Sequence, residues 1–322
     1  MTLTFLLLIA GLVLILMGAN WLVDGASSIA KKTGMSEFII GLTIVGIGTS
    51  TPEMVVSFIS SFQGQTDMAI GNVVGSNIFN TLVILGITAL LCPLAITKES
   101  LKRDLPLNIA VTVLLILLGL KNTIFGVGTN SLTRIDGVIM LLILALYFRL
   151  LLKKPKDGVI ENEETNGEAT KVFSTGKSII FILIGLVGLV VGGKLFVNSA
   201  TDIAKFFNMS EKFIALTIMA AGTSLPELAT SVVAALKGRG QMAMGNVLGS
   251  NISNILLILG ASAVINPLSF STMGPIDLGV VLVAAVFMLT SAYTFKKNTL
   301  DRFEAVILLL IEAGYMTWLF MS

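Results

Sequence analysis

The stretch FIIGLTIVGIGTSTPEMVVSFISSF, residues 38–62, is apolar along most of its length yet carries Pro52 and Glu53 near its middle. A run this long and hydrophobic reads as a helix crossing a bilayer. Proline has no N–H, and its ring collides with the carbonyl four residues back, here that of Gly48. The span is therefore expected to break at this point, leaving backbone carbonyls short of helical partners. At membrane depth such groups persist only where water, protein or a bound cation satisfies them. The chain supplies further oxygens at the same place: the hydroxyls of Thr49 and Ser50 and the carboxylate of Glu53, with Thr49 and Glu53 sharing a face at i, i+4.

The same device recurs as GTSLPEL at 222–228. Shifted by 174 residues, the chain overlays itself without a gap, and 31 of the 60 positions from Met35–Leu94 match Met209–Leu268. MSEFIIGLTIVGIGTSTPE (35–53) meets MSEKFIALTIMAAGTSLPE (209–227), and GNVVGSNIFNTLVILG (71–86) meets GNVLGSNISNILLILG (245–260). Weaker echoes reach outward, as with Gly18 and Gly192. An internal repeat of this kind means duplicated architecture.

Composition sets the class. Hydrophobic residues make up 55 % and charged residues 12 % of the 322, with a mean hydropathy of +0.94. Soluble domains carry about twice that charged fraction. Apolar segments fall near 3–23, 38–62, 68–92, 106–120 and 132–152, then near 178–198, 212–236, 242–266, 276–295 and 303–321. The expectation is an all-α membrane protein of ten transmembrane helices, in two five-helix repeats with helices 2 and 7 broken. Five is odd, so the second repeat enters from the opposite side and the repeats are inverted, a construction found in secondary transporters. The first repeat is placed at 1–152, a linker at 153–177 and the second repeat at 178–322, with the duplicated motifs at 35–94 and 209–268. The first apolar run lacks a basic leader, since no Lys or Arg precedes Lys31, so it reads as a permanent helix.

Lysine and arginine set the orientation. With the N-terminus outside, the inner loops hold 15 of them and the outer loops 4. Both termini are thus expected on the extracytoplasmic side of a plasma (inner) membrane. The linker, with Glu161, Glu163, Glu164 and Glu168, is too short for a folded calcium-sensing domain and reads as a solvated cytoplasmic connection. Absence of histidine and the single Cys92 exclude His-ligated metal, His catalysis, a cysteine cage and an intrachain disulfide. No nucleotide loop, no nucleophile–base pair and no basic aromatic patch points to an enzyme, a cofactor or nucleic acid.

The span after each break carries a polar stripe: Asn72, Ser76 and Asn80 in the first copy, Asn246, Ser250 and Asn254 in the second, with Gly71, Gly75, Gly245 and Gly249 permitting close approach. Bringing the copies together assembles two carboxylates with hydroxyl, amide and carbonyl oxygens near the midplane. Such a set suits hard cations, Ca²⁺ and Na⁺ ahead of transition metals. A lone intramembrane glutamate can be a structural group, but two with the same polar company point to function. Glu312, with no counterpart at Leu144, reads instead as structural or pore-rim.

GTSTPE with GNVVGSNIFN, and GTSLPE with GNVLGSNISN, resemble the α1 and α2 repeats of the sodium/calcium exchangers of the cation/calcium antiporter superfamily. The resemblance covers most of the chain and implies a prokaryotic-type exchanger. By resemblance, Glu53 and Glu227 bridge the calcium and sodium sites, and Thr49 and Thr223 give backbone carbonyls to calcium. Ser50, Ser76, Ser224 and Ser250, with the carbonyls of Gly46 and Ala220, line outer sodium sites; Asn80 and Asn254 stand beside the central site. Some prokaryotic relatives and the potassium-dependent exchangers carry Asp where this chain has Asn254, which argues against potassium co-transport here. The resemblance further implies three sodium ions per calcium and sliding of the first and sixth spans over the rest. The expected function is sodium/calcium antiport by alternating access, with ions and lipid as partners and no obligatory protein partner. The alternatives are proton- or potassium-coupled cation antiport and, from another class, a passive cation channel.

Overall fold

The structure is a computed structural model that describes residues 2–151, 172–207, 209, 220–271, 273–294 and 296–321. Each of the ten apolar segments is helical, in whole or in the part described. In chain order the helices are α1 (Thr2–Thr33), α2 (Glu37–Thr49), α3 (Thr51–Phe62), α4 (Thr66–Leu91), α5 (Leu105–Gly119), α6 (Lys121–Phe125) and α7 (Arg134–Leu151). The second half adds α8 (Thr175–Phe206), α9 (Ala220–Thr223), α10 (Leu225–Leu236), α11 (Gly240–Ile265), α12 (Pro275–Ser291) and α13 (Arg302–Met321). Helices α1, α4, α8, α11 and α13 are long and apolar enough to cross a membrane singly, and α2 with α3 forms one span bent by 48°. The expected linker falls on residues outside the described set up to 171; α8 already begins at Thr175, inside that stretch.

The two halves are related by inversion. Helices α1 and α8 occupy equivalent positions in their repeats, yet they pack antiparallel. A Cβ on Gly11 would lie 2.9 Å from the Gly192 carbonyl oxygen, one on Gly18 2.8 Å from that of Gly185, and one on Gly25 2.7 Å from that of Ser178. The paired numbers rise on one helix as they fall on the other, and the glycines let the backbones touch. Helices α2 and α11 run parallel instead, with Gly245 seated on Phe38 and Gly249 on Leu42. The repeat counterparts of Phe38 and Leu42, residues 212 and 216, lie outside the described residues.

Beyond the all-α expectation, the described residues include four two-residue strands where helices end: β1 (Leu94–Ala95), β2 (Ser131–Leu132), β3 (Leu268–Ser269) and β4 (Thr299–Leu300). β1 pairs with β4 and β2 with β3, both antiparallel, so each ladder joins one repeat to the other. Tyrosine–aspartate bonds follow the same rule of two: Tyr147 donates to Asp104 at 2.8 Å and Tyr315 to Asp277 at 2.9 Å.

Burial then sorts the helices. In α4 and α11, 72 % and 78 % of the apolar window is buried, against 22 % and 33 % in α1 and α8. The centre of the bundle is thus α4 and α11, and the glycine-packed pair α1–α8 lies outside it. A Gly18→Val variant should lose about 1–3 kcal/mol through overpacking, read as a lower unfolding temperature in detergent. Gly314→Ala, at an exposed position of α13 whose Cβ meets nothing within 4 Å among the described residues, should not lower that temperature.

Candidate functional site

Both breaks sit where the prolines place them. Ser50 (φ −76°, ψ 10°) separates α2 from α3, and Ser224 (φ −90°, ψ 7°) separates α9 from α10. Pro52 and Pro226 stand in the first turns of α3 and α10, where a missing N–H costs nothing. The carbonyls freed at the first break do not all stay open. Thr51 donates its hydroxyl to the Gly48 carbonyl at 2.7 Å, the group that Pro52 cannot serve. The Gly46 carbonyl accepts from the Ser50 amide at 3.2 Å and the Ser250 hydroxyl at 3.2 Å, with the Thr49 hydroxyl at 3.4 Å. At the second break Leu225 stands in place of Thr51 and has no hydroxyl to offer.

Glu53 and Glu227 each fall in the first turn after the break, at the electropositive end of a helix, and each is 1 % exposed. Among the described residues no lysine or arginine forms an ion pair with either; the four ion pairs lie elsewhere. Their partners are neutral hydroxyls from the opposite repeat. Ser50 donates to Glu227 Oε1 at 3.0 Å, and Ser224 donates to Glu53 Oε1 at 3.2 Å. Ser76 lies 3.5 Å from the Ser224 hydroxyl, Thr49 donates to Asn246 of the opposite repeat at 3.2 Å, and Thr223 is the residue before Ser224 at the second break.

The structure thus brings Glu53, Glu227, Thr49, Thr223, Ser50, Ser224, Ser76, Ser250 and Gly46 into one connected set. Ala220 is the first described residue of α9, the helix that ends at the second break. Asn80 and Asn254 are buried, and each begins a π-helical turn, Asn80–Ile84 and Asn254–Leu259, a distortion common at functional sites. Among the described residues Glu312, on α13, shares no hydrogen bond with this set, and its buried Oε2 has no partner.

Among the described residues, four buried oxygens at the centre have no donor: Glu53 Oε2, Glu227 Oε2, Asn80 Oδ1 and Asn254 Oδ1. They form two pairs related by the repeat. A buried acceptor without a partner costs about 1–3 kcal/mol, more for a charged one. Four such acceptors, at equivalent positions of the two repeats, are oxygens of the kind that hard cations such as Ca²⁺ and Na⁺ favour.

Sequence reasoning missed the residues that hold this set in shape. Asn72 donates to the Glu53 carbonyl at 3.0 Å and to Ser57 at 2.9 Å, bracing the first break. Asn246 does the same for the Glu227 carbonyl at 3.3 Å and Ser231 at 2.8 Å. The i, i+4 stripe includes Asn72 and Asn246 without giving them a role, and it does not touch Ser57 or Ser231. Their identity in both copies is the signal that could have found them. Asn246 also accepts from the Thr49 hydroxyl at 3.2 Å. Replacing Asn72 by Leu should therefore destabilise the protein by about 1–3 kcal/mol, the cost of unserved buried acceptors. Asn246→Leu should cost more, because Thr49 loses its acceptor too; chemical denaturation in detergent ranks the two.

Comparison with known proteins agrees with this geometry. The family model described as sodium/calcium exchanger protein matches residues 3–153 and 177–321. CaxA of Alkalimonas amylolytica is 38 % identical over 321 residues, covering 98 % of each chain. The sodium/calcium exchanger MaX1 of Methanosarcina acetivorans is 33 % identical over 358 residues, covering 99 % of each. A solved structure of the sodium-calcium exchanger NCX_Mj, soaked with zero Na⁺ and Ca²⁺, has 29 % identity and a TM-score of 0.83 over 99 % of each chain. The chain therefore belongs to the sodium/calcium exchanger protein family, and sodium/calcium antiport is its activity.

Proposed function

We propose that the exchange runs by competition of Ca²⁺ and Na⁺ for the central oxygen set, with Glu53 and Glu227 as the charged ligands. The observation that carries this reading is the group of four unpartnered buried oxygens on Glu53, Glu227, Asn80 and Asn254. Two carboxylates buried without a cation are costly. One Ca²⁺ neutralises both, and so do Na⁺ ions bound one to each, so either cargo relieves the cost and each displaces the other. The serines Ser50, Ser76, Ser224 and Ser250, the threonines Thr49 and Thr223, and the carbonyls of Gly46 and Ala220 extend the set outward for the monovalent ions. Helix α2 ends at the site, and the partial negative charge of its C-terminal carbonyls favours a cation there.

The two repeats, 1–152 and 178–322, supply equivalent halves of this site, and the linker 153–177 joins them in the cytoplasm. The protein lies in the plasma membrane with both termini outside, as the lysine and arginine distribution supports. Its partners in this reading are its ions and the bilayer. No bond is made or broken, so the protein moves ions without acting as an enzyme or needing a cofactor.

The test is radioactive-calcium uptake into sodium-loaded proteoliposomes. Uptake should require the outward sodium gradient. Glu53→Gln and Glu227→Gln should each reduce it by roughly 30-fold or more, since truncating a buried charged contact costs about 2–5 kcal/mol. Both variants should remain folded by thermal unfolding in detergent. Near-native exchange in either would overturn the site. Uptake that follows a proton gradient and ignores sodium would overturn the coupling ion, and uptake without any counter-ion would indicate a channel.

A further inference from the structure

Asn77 and Asn251 lie outside the proposed ligand set, yet both are 2 % exposed at the centre of the bundle. Each holds an asparagine of the opposite repeat. Asn80 Nδ2 donates to Asn251 Oδ1 at 3.1 Å, and Asn254 Nδ2 donates to Asn77 Oδ1 at 3.0 Å. The amide nitrogens of the two holders are themselves engaged. Asn251 donates to the Thr81 hydroxyl at 2.8 Å, and Asn77 donates to the Asn251 backbone carbonyl at 3.2 Å. Their Oδ1 atoms are thereby committed as acceptors.

A carboxamide has two ends of opposite character, a carbonyl oxygen that accepts and an NH₂ that donates. Pinning the nitrogen decides where the oxygen points. In Asn80 and Asn254 the nitrogen is pinned and the oxygen is the buried atom left without a donor. Rotating either amide by half a turn would put an NH₂ where that oxygen stands, and an NH₂ repels a cation.

We propose that Asn77 and Asn251 are positioning residues that set the amide orientation of Asn80 and Asn254, so that each offers oxygen to the transported ion. This rests on the reading of Asn80 and Asn254 as ligands given above. Because each holder belongs to the other repeat, the affinity of each half of the site depends on its contact with the opposite half.

The experiment exploits the fact that a carboxylate has two equivalent oxygens and no orientation to lose. Calcium affinity of the full chain is measured by calorimetry in detergent and by the KM of exchange in proteoliposomes. Asn251→Ala is made alone and on an Asn80→Asp background. Alone, it should weaken calcium by about tenfold or more, which corresponds to about 1.4 kcal/mol. On the Asn80→Asp background, where Asn251 Oδ1 faces a carboxylate oxygen and has no donor there to accept from, the same change should cause no loss of affinity. Asn77→Ala with Asn254→Asp should give the mirror result. Where the alanine variant does not fold, Asn251→Leu fills the space without an acceptor and takes its place.

Equal losses on both backgrounds would overturn the proposal, because that is what a purely structural role produces. No loss on the native background would overturn it too. If Asn80→Asp leaves calcium affinity unchanged while Glu53→Gln abolishes exchange, Asn80 is no ligand: the proposal falls and the exchange site stands. If Glu53→Gln leaves exchange intact, the reading beneath both has failed.

Discussion

Two carboxylates buried at the centre of an apolar bundle, with no basic side chain paired to them among the described residues, are the constraint around which this protein is built. Burying an ionised group is tolerable only where hydrogen bonds and an opposite charge compensate it. Here the compensation is divided. Neutral hydroxyls from Ser50 and Ser224 take one oxygen of each carboxylate, and the helix N-termini of α3 and α10 add a favourable dipole. The second oxygen of each is left open. A lysine in place of the serines would satisfy the charge permanently and leave nothing for a moving ion to do.

The duplication explains how a chain obtains such a balanced site. Each carboxylate is served by a hydroxyl of the other copy, each break is braced by an asparagine of its own copy, and each short strand pairs across the repeats. The symmetry is not complete. Thr51 closes the Gly48 carbonyl where Leu225 has no counterpart hydroxyl. Lys237 at the end of α10 pairs with Asp24 on α1 at 2.6 Å, whereas the equivalent positions hold Gln63 and Asn198. The two faces of the protein therefore differ in charge where the outer pair of helices meets the centre.

Much of this is legible in the chain alone. Pro52 and Pro226 locate the breaks because a missing N–H acts on its own helix, four residues away. Glu53 and Glu227 declare themselves because an ionisable group is too costly in an apolar run to stand there, twice, without a use. Asn77 and Asn251 do not. They sit one residue on from Ser76 and Ser250, about 100° further round the helix, off the stripe that the i, i+4 spacing defines. Their partners are 171 and 177 residues away. The strands β1 to β4 are equally hidden, since two residues of extended chain carry no periodicity.

The order of residues alone carries the membrane setting, the duplication, its inversion through an odd number of spans, the positions of the breaks and the oxygen chemistry gathered there. All of these follow from local hydropathy, proline geometry and residue identity repeated at one shift. Which oxygens are consumed and which remain free is settled by packing in three dimensions. That division depends on whether a given hydroxyl or amide reaches across to the other repeat, and the reach is set by how closely the helices pack: glycine against backbone in α1–α8 and α2–α11. A small shift between helices separates a satisfied acceptor from an open one, and no local pattern in the chain encodes it.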